Sequence, residues 1–306
     1  MKMKRIIFLN IFLAFAAVSV SAQSFPSLLV GSDAAGFSIG SATVAGAPGA
    51  YSLENNVAGM SFIDGRMSAG ASFGMWQPSY GNDKVIGASA AVKATKRLAF
   101  GAAFKYFAQP SYEITTDSGT ASRGGSFRPS EFNVTVGGSF AVTSYLSVGL
   151  AARMLHSSLA TNVSANVFGA DLGIYFRMKG LSAGLSVNNL GTKAKFENNS
   201  YVQPMMAKLG VGYTRAFDKH ALSATAETDI LFAGAVMAGA GIEYSFRDLL
   251  FVRGGYHYGA PHKAVVPSYC SAGLGVKFFG ISLDAAYLFA SQVLKNSFAL
   301  SVGYAF

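Results

Sequence analysis

The sequence predicts an all-β fold, a transmembrane antiparallel β-barrel of about fourteen strands. Three observations lead there. The chain is apolar, with 51% hydrophobic and only 13% charged residues among 306, where about 25% charged is usual in soluble domains. Beyond residue 22, no apolar run reaches the roughly 18 residues that a spanning helix takes. Apolar residues instead alternate with small or polar ones at period two, segment after segment, which is the signature of strands.

The elements follow in chain order. MKMKRIIFLNIFLAFAAVSVSAQ opens with Lys2, Lys4 and Arg5, continues through an apolar stretch over 6–20, and ends in the small-residue site Val20-Ser21-Ala22. This predicts a signal peptide over 1–22, cleaved after Ala22, so that the chain leaves the cytoplasm. Cys270 is the only cysteine, so no intramolecular disulfide supports the exported chain. Without the signal the formal charge drops from +9 to +6. The basic residues are scattered rather than clustered with aromatics, which argues against nucleic acid.

Strands are predicted near 66–76, 84–94, 97–108, 129–142, 145–157, 164–178 and 180–190, then near 203–216, 219–231, 236–247, 249–258, 268–279, 281–291 and 296–306. In NSFALSVGYAF, Phe298, Leu300, Val302, Tyr304 and Phe306 share one face, and Ser297, Ala299, Ser301, Gly303 and Ala305 the other. A large apolar face against a small-residue face suits a wall with lipid outside and a crowded lumen inside. YLSVGLAARML and SYCSAGLGVKF divide in the same way, which places Cys270 on the lipid side. Connections at Thr95-Lys96, Thr143-Ser144, Lys179-Gly180 and Phe279-Gly280 are tight, whereas alternate ones are mostly longer, up to Gln109–Arg128. Tight turns on one side and long loops on the other match the periplasmic and extracellular ends of an outer-membrane barrel. Both chain ends then lie on the periplasmic side, and the terminal aromatic Phe306 is the usual assembly signal for the barrel-assembly machinery.

The ordered stretches SLLVGSDAAG, AYSLENNVAGMSFID, PSEFNVTVGGSFAVTSYLSVGLAARMLHSSL, ADLGIYF, SVNNLGTKAKF, GAGIEYSFRDLLFVRGGYHY and GLGVKFFGISLDAAYLFA resemble the PorV/PorQ family within the FadL-like barrels. That resemblance implies an N-terminal hatch in the lumen over residues 23–64, carrying Asp33, Gly36, Gly40, Asn55 and Asn56, and a barrel over 65–306. It implies a non-enzymatic role in type IX secretion: binding secreted proteins through their C-terminal signal domains, alongside other secretion components. The loops Gln109–Arg128 and Leu190–Val202 would be the contact surfaces. The chain departs from the family at Asn56-Val57-Ala58, where Asn-Pro-Ala is usual. It also departs at Ala35 and Phe37-Ser38-Ile39, where an arginine and a Gly-Met-Gly-like turn are usual, and in a short loop near Ile230–Val236. The alternative is FadL-like transport of long-chain fatty acids or other hydrophobic small molecules. The predicted lumen faces are mostly small or charged, with few large apolar residues such as Phe107 and Leu288, and this weighs against it.

Candidate chemistry is thin. Gly36-Phe37-Ser38-Ile39-Gly40 reads as the nucleophile-elbow pattern, but GSDAA before it is no buried strand, and the pattern recurs at Gly70–Gly74 inside a predicted strand. Small residues and glycine there are read as a steric fit to a narrow lumen. His156, His220, His257 and His262 lack metal-ligand spacing, and no cofactor is expected. His257 falls on the lumen face with Arg253. The ionisable residues predicted to point inward are Lys105, Arg153, Asp171, Arg177, Lys208, Glu227, Asp229, Glu243, Arg247, Arg253, Lys277 and Asp284. Their mixed signs fit ion pairs facing one another across the lumen and bracing wall and hatch.

Overall fold

The computed structural model describes residues 25–79, 81–114, 125–197, 199–260 and 266–306. The expected signal peptide, His262 and the middle of the Gln109–Arg128 loop lie outside the described residues. Fourteen strands close into one barrel: β1 (Met67–Trp76), β2 (Asp83–Lys93), β3 (Leu98–Ala108), β4 (Ser130–Ala141), β5 (Leu146–Ala160), β6 (Val163–Met178), β7 (Leu181–Gly191), β8 (Met206–Phe217), β9 (His220–Leu231), β10 (Val236–Phe246), β11 (Leu250–Gly259), β12 (Tyr269–Phe278), β13 (Ile281–Phe289) and β14 (Phe298–Ala305). Each pairs antiparallel with its chain neighbours, and β14 closes on β1 with Ser68 opposite Ala305. Closure leaves no unpaired edge inside a bilayer, where an unsatisfied backbone group costs several kcal/mol.

The period-two pattern becomes the two faces of the wall. On β12, Tyr269, Ser271, Gly273 and Gly275 are buried, while Ala272, Leu274, Val276 and Phe278 are exposed. Outward aromatics gather at both ends of the band, such as Tyr145, Phe217, Tyr244 and Tyr304 below and Phe132, Phe168, Tyr256 and Tyr287 above. These are the interfacial girdles of a membrane barrel. The turns Lys179-Gly180 and Phe279-Gly280 have φ of 51° and 84°, and 50° and 79°. Positive φ at both central residues is the type I′ geometry that matches strand twist, and glycine supplies the second position without strain. Two short ladders in the longer loops, Tyr112–Glu113 with Ser126–Phe127 and Ala194–Phe196 with Asn199–Tyr201, carry no clear alternation in the sequence.

Residues 25–64 run through the barrel interior. Phe25 begins at the extracellular end, packed with Leu155, Val167 and Phe196. A single turn at Pro26–Leu28 follows, then helix α1 (Ala34–Ser38), capped by Asp33, whose Oδ1 accepts the Ala35 N–H at 3.0 Å. Helix α2 (Ser52–Asn55) leads to a 3₁₀ turn, Val57–Phe62, capped by Asn56. Val57 holds the first helical position, where proline is also at home, so the departure from Asn-Pro-Ala leaves the turn intact. The segment reaches the periplasmic rim at Arg66, whose N–H donates to Phe306 O.

Candidate functional site

The candidate site is the lumen, where wall and N-terminal segment meet. Glycines on the wall let the two backbones touch. A Cβ on Gly255 would collide with Gly40 N and the Ile39 backbone, and one on Gly184 with Val44 O. Gly40 itself has φ +67° and lies against the Tyr256 backbone, so glycine is required there on both counts. Wall hydroxyls satisfy the segment's backbone: Ser147 Oγ donates to Ala58 O at 2.7 Å, Ser89 Oγ to Ala50 O at 2.7 Å and Ser182 Oγ to Ala45 O at 2.7 Å. Ser271 Oγ accepts from Gly40 N at 3.2 Å and donates to Ser38 O at 3.1 Å. Asn56 Nδ2 is shared between Val44 O and Ile174 O, both at 3.0 Å. Ser38 is buried at the end of α1, and its Oγ donates to Ala35 O at 2.6 Å.

The charged residues form separate groups. Lys105 binds Glu54 at 2.8 Å and Val30 O at 3.0 Å, joining β3 to the segment. Glu54 also accepts from Ser32 Oγ at 2.6 Å. Lys208 lies between Glu227 at 3.2 Å and Asp229 at 3.5 Å, and Glu227 accepts the Val44 N–H at 2.6 Å. Arg153 pairs with Asp171 and Asn189. Asp171 accepts the Asn189 N–H at 2.7 Å where the β6–β7 register slips, with Asn189 at φ 62°. Arg253 pairs with Glu243 and with Asp284 at 2.6 Å.

Several expectations need correction. The ion pairs do not reach across the lumen, because residues 25–64 occupy its middle. They run along the wall between near strands, or from wall to segment. Arg247 does not face the lumen: it lies exposed in the β10–β11 turn at φ 56°, with its guanidinium over Phe246. Arg177 and Lys277 keep lumen parity but stand at the periplasmic rim. Arg177 reaches Phe62 O at 3.3 Å, and Lys277 pairs with Asp248 of the turn at 2.8 Å. The largest correction concerns apolar residues. Trp76, Val85, Phe107, Met206, Leu231, Met237, Tyr269 and Leu288 form a buried cluster with Phe37 in the extracellular half of the lumen. Apart from Phe107 and Leu288, already placed inward, the sequence hid this because such residues sit at strand ends, where alternation is too short to assign a face. The small residues are concentrated lower, where the segment touches the wall.

Asn55, Asp33 and Gly36 line a central cavity of about 90 Å³ with Lys105, Lys208 and His257. That is room for several waters at the ~10–15 Å³ each requires. His257 stacks on Tyr269 with centroids 4.9 Å apart, and its Nδ1 lies 3.3 Å from Gly40 O. His156 and His220 meet Asn166 and Tyr244 elsewhere on the wall. Cys270 is half-buried on the outward face. Phe306 closes the β1–β14 seam through bonds with Met67, N–H to O at 3.0 and 3.1 Å.

Solved barrels share this fold at low identity. The Ralstonia pickettii toluene transporter TbuX has a TM-score of 0.62 at 13% identity, over 90% of this chain and 98% of that one. The CymD monoaromatic hydrocarbon channel scores 0.65 at 13%, over 92% and 99%. A Pseudomonas aeruginosa FadL homologue scores 0.55 at 15%, over 90% and 98%. No curated protein matches the chain. Residues 16–234 match the family described as type IX secretion system protein PorV. That match takes in the N-terminal segment and most of the barrel, so this outer-membrane β-barrel belongs to the PorV family.

Proposed function

We propose that the protein is a non-enzymatic component of type IX secretion that binds secreted proteins at the cell surface. Residues 23–64 serve as a hatch that keeps the barrel, 65–306, from acting as a pore. The family match over residues 16–234 carries this reading. The close seating of residues 25–64 supports it, since work done by a filled barrel falls to its rims and loops. The contact surfaces are the loops Gln109–Arg128 and Leu190–Val202, and the partners are proteins with C-terminal signal domains and other secretion components. Deleting the two loops should abolish co-purification of such proteins and their surface attachment while the barrel still folds. Unchanged binding and attachment in the deletion would defeat the proposal.

A second reading, transport of a hydrophobic small molecule, is favoured by one observation. The apolar cluster around Trp76, Phe107 and Met237 lines the extracellular half of the lumen, in a fold shared with the toluene transporter TbuX. A stoichiometric apolar ligand in lipid extracts of the purified protein, with no protein partner, would move the assignment there.

A further inference from the structure

Inside the barrel each of Lys105, Arg153, Lys208 and Arg253 is matched by a carboxylate. At the periplasmic rim the pattern is the opposite. Arg66, Lys96, Arg97, Lys179, Lys219 and Arg247 are all exposed, and none has an ion-pair partner among the described residues. They come from the residue before β1 and from four different turns, so they are spread around the rim rather than gathered on one strand. The acids there are Asp64, Asp218, Asp248 and Glu243, of which Asp248 is taken by Lys277 and Glu243 by Arg253. The extracellular end is more balanced, with Lys193 and Lys195 sharing a loop with Glu197. Much of the mature chain's excess positive charge therefore sits on one end face.

Position separates the two kinds of anion such a face could meet. A headgroup site would put the bases on the outward rows among the girdle aromatics. Arg215, between Tyr213 and Phe217, lies on such a row, but the six exposed bases lie in turns and just before β1. That places them past the strands, at the end of the wall that faces the periplasm. The same face holds an open recess of about 390 Å³, lined by Tyr175, Arg177, Lys179, Ser182 and Glu243.

We infer that the periplasmic rim is a docking face for an acidic polypeptide segment of a periplasmic protein. The segment lies across the ring of bases and sets one side chain into the recess. An end face of one sign attracts an acidic segment and steers its approach. This depends only on the orientation of the barrel, not on the secretion reading, so either can fail alone.

The test uses the full chain in nanodiscs of zwitterionic lipid, with a labelled peptide of alternating glutamate and glycine as the probe. Saturable binding with one peptide per barrel is expected, weakening as salt rises. Reversing Lys96, Lys179 and Lys219 to glutamate should weaken it by roughly ten-fold, about 1.4 kcal/mol shared among three exposed pairings. Reversing Lys84, Lys193 and Lys195 at the other end should leave it unchanged, with heat-modifiable mobility confirming that both variants fold. No saturable binding, or an equal loss from the extracellular reversals, overturns the assignment. Phosphatidylglycerol that co-purifies with the wild-type chain and is lost in the Lys96, Lys179 and Lys219 reversal, with no saturable peptide binding, gives the ring to headgroups and also overturns it.

Discussion

Gly254 and Gly255 are neighbours on β11 with opposite surroundings, and alanine at each should have opposite effects. At Gly254 a Cβ meets only Ser271 O, at 3.9 Å, and at Gly255 it runs into Gly40 N and the Ile39 backbone, with Ile39 Cα at 2.7 Å. Neither neighbour can rotate away, since both are main chain, so residues 38–42 must retreat by about 1 Å to regain ordinary contact distance. The retreat breaks the two Ser271 hydrogen bonds to Gly40 and Ser38, at about 1 kcal/mol each. Overpacking adds about 1–3 kcal/mol, so Gly255→Ala should weaken seating by about 3–5 kcal/mol. Gly254→Ala should be neutral or gain up to about 1 kcal/mol, because glycine is the poorer residue within a strand. The single tryptophan reports the outcome directly: Trp76 is 6% exposed and packs on Phe37 of α1 with ring centroids 5.6 Å apart. In Gly255→Ala its emission should shift to the red and become open to acrylamide quenching, while heat-modifiable mobility shows the barrel intact. An unchanged Trp76 signal in Gly255→Ala, or an equal disturbance in Gly254→Ala, would refute the account.

Two other expectations can be checked with the same protein. Lys208→Met leaves Glu227 and Asp229 buried without their cation, which should cost about 3–5 kcal/mol in urea unfolding. The triple change Lys208→Met, Glu227→Gln and Asp229→Asn should recover most of it. Phe306→Ala keeps the backbone bonds to Met67, so refolding into detergent should be close to normal, while the folded amount recovered from outer membranes falls. Equal recovery from membranes would remove Phe306 as an assembly signal.

Fourteen strands were legible because a barrel wall has one chemistry outside and another inside, and period two writes that on every span. The site was less legible. Lys105 and Glu227 could be placed on the inner face, but their partners, Glu54 and the Val44 N–H, lie in a segment with no periodicity to locate it. Val44 and Glu227 are 183 positions apart, and nothing in the composition joins them. Met206, Met237 and Tyr269 escaped notice because each begins or nearly begins its strand. Arg247 followed the parity of β10 on paper, but the strand ends at Phe246 and the turn carries it outside.

The route of residues 25–64 also dictates how the molecule is built. Phe25 rests at the extracellular end, yet the strand that follows the segment starts at the periplasmic end, where Arg66 and Phe306 fasten the seam. The start of the described chain therefore lies on the far side of the membrane from β1. Either the wall wraps around a segment already laid through it, or some forty residues are drawn up a bore lined by Gly184, Gly239 and Gly255, which leave no clearance beside a seated backbone. Such a tight bore favours the first order, with the segment acting as a mandrel and the β1–β14 seam as the last joint to set. Folding intermediates should then show Trp76 shielded before the seam becomes resistant to heat.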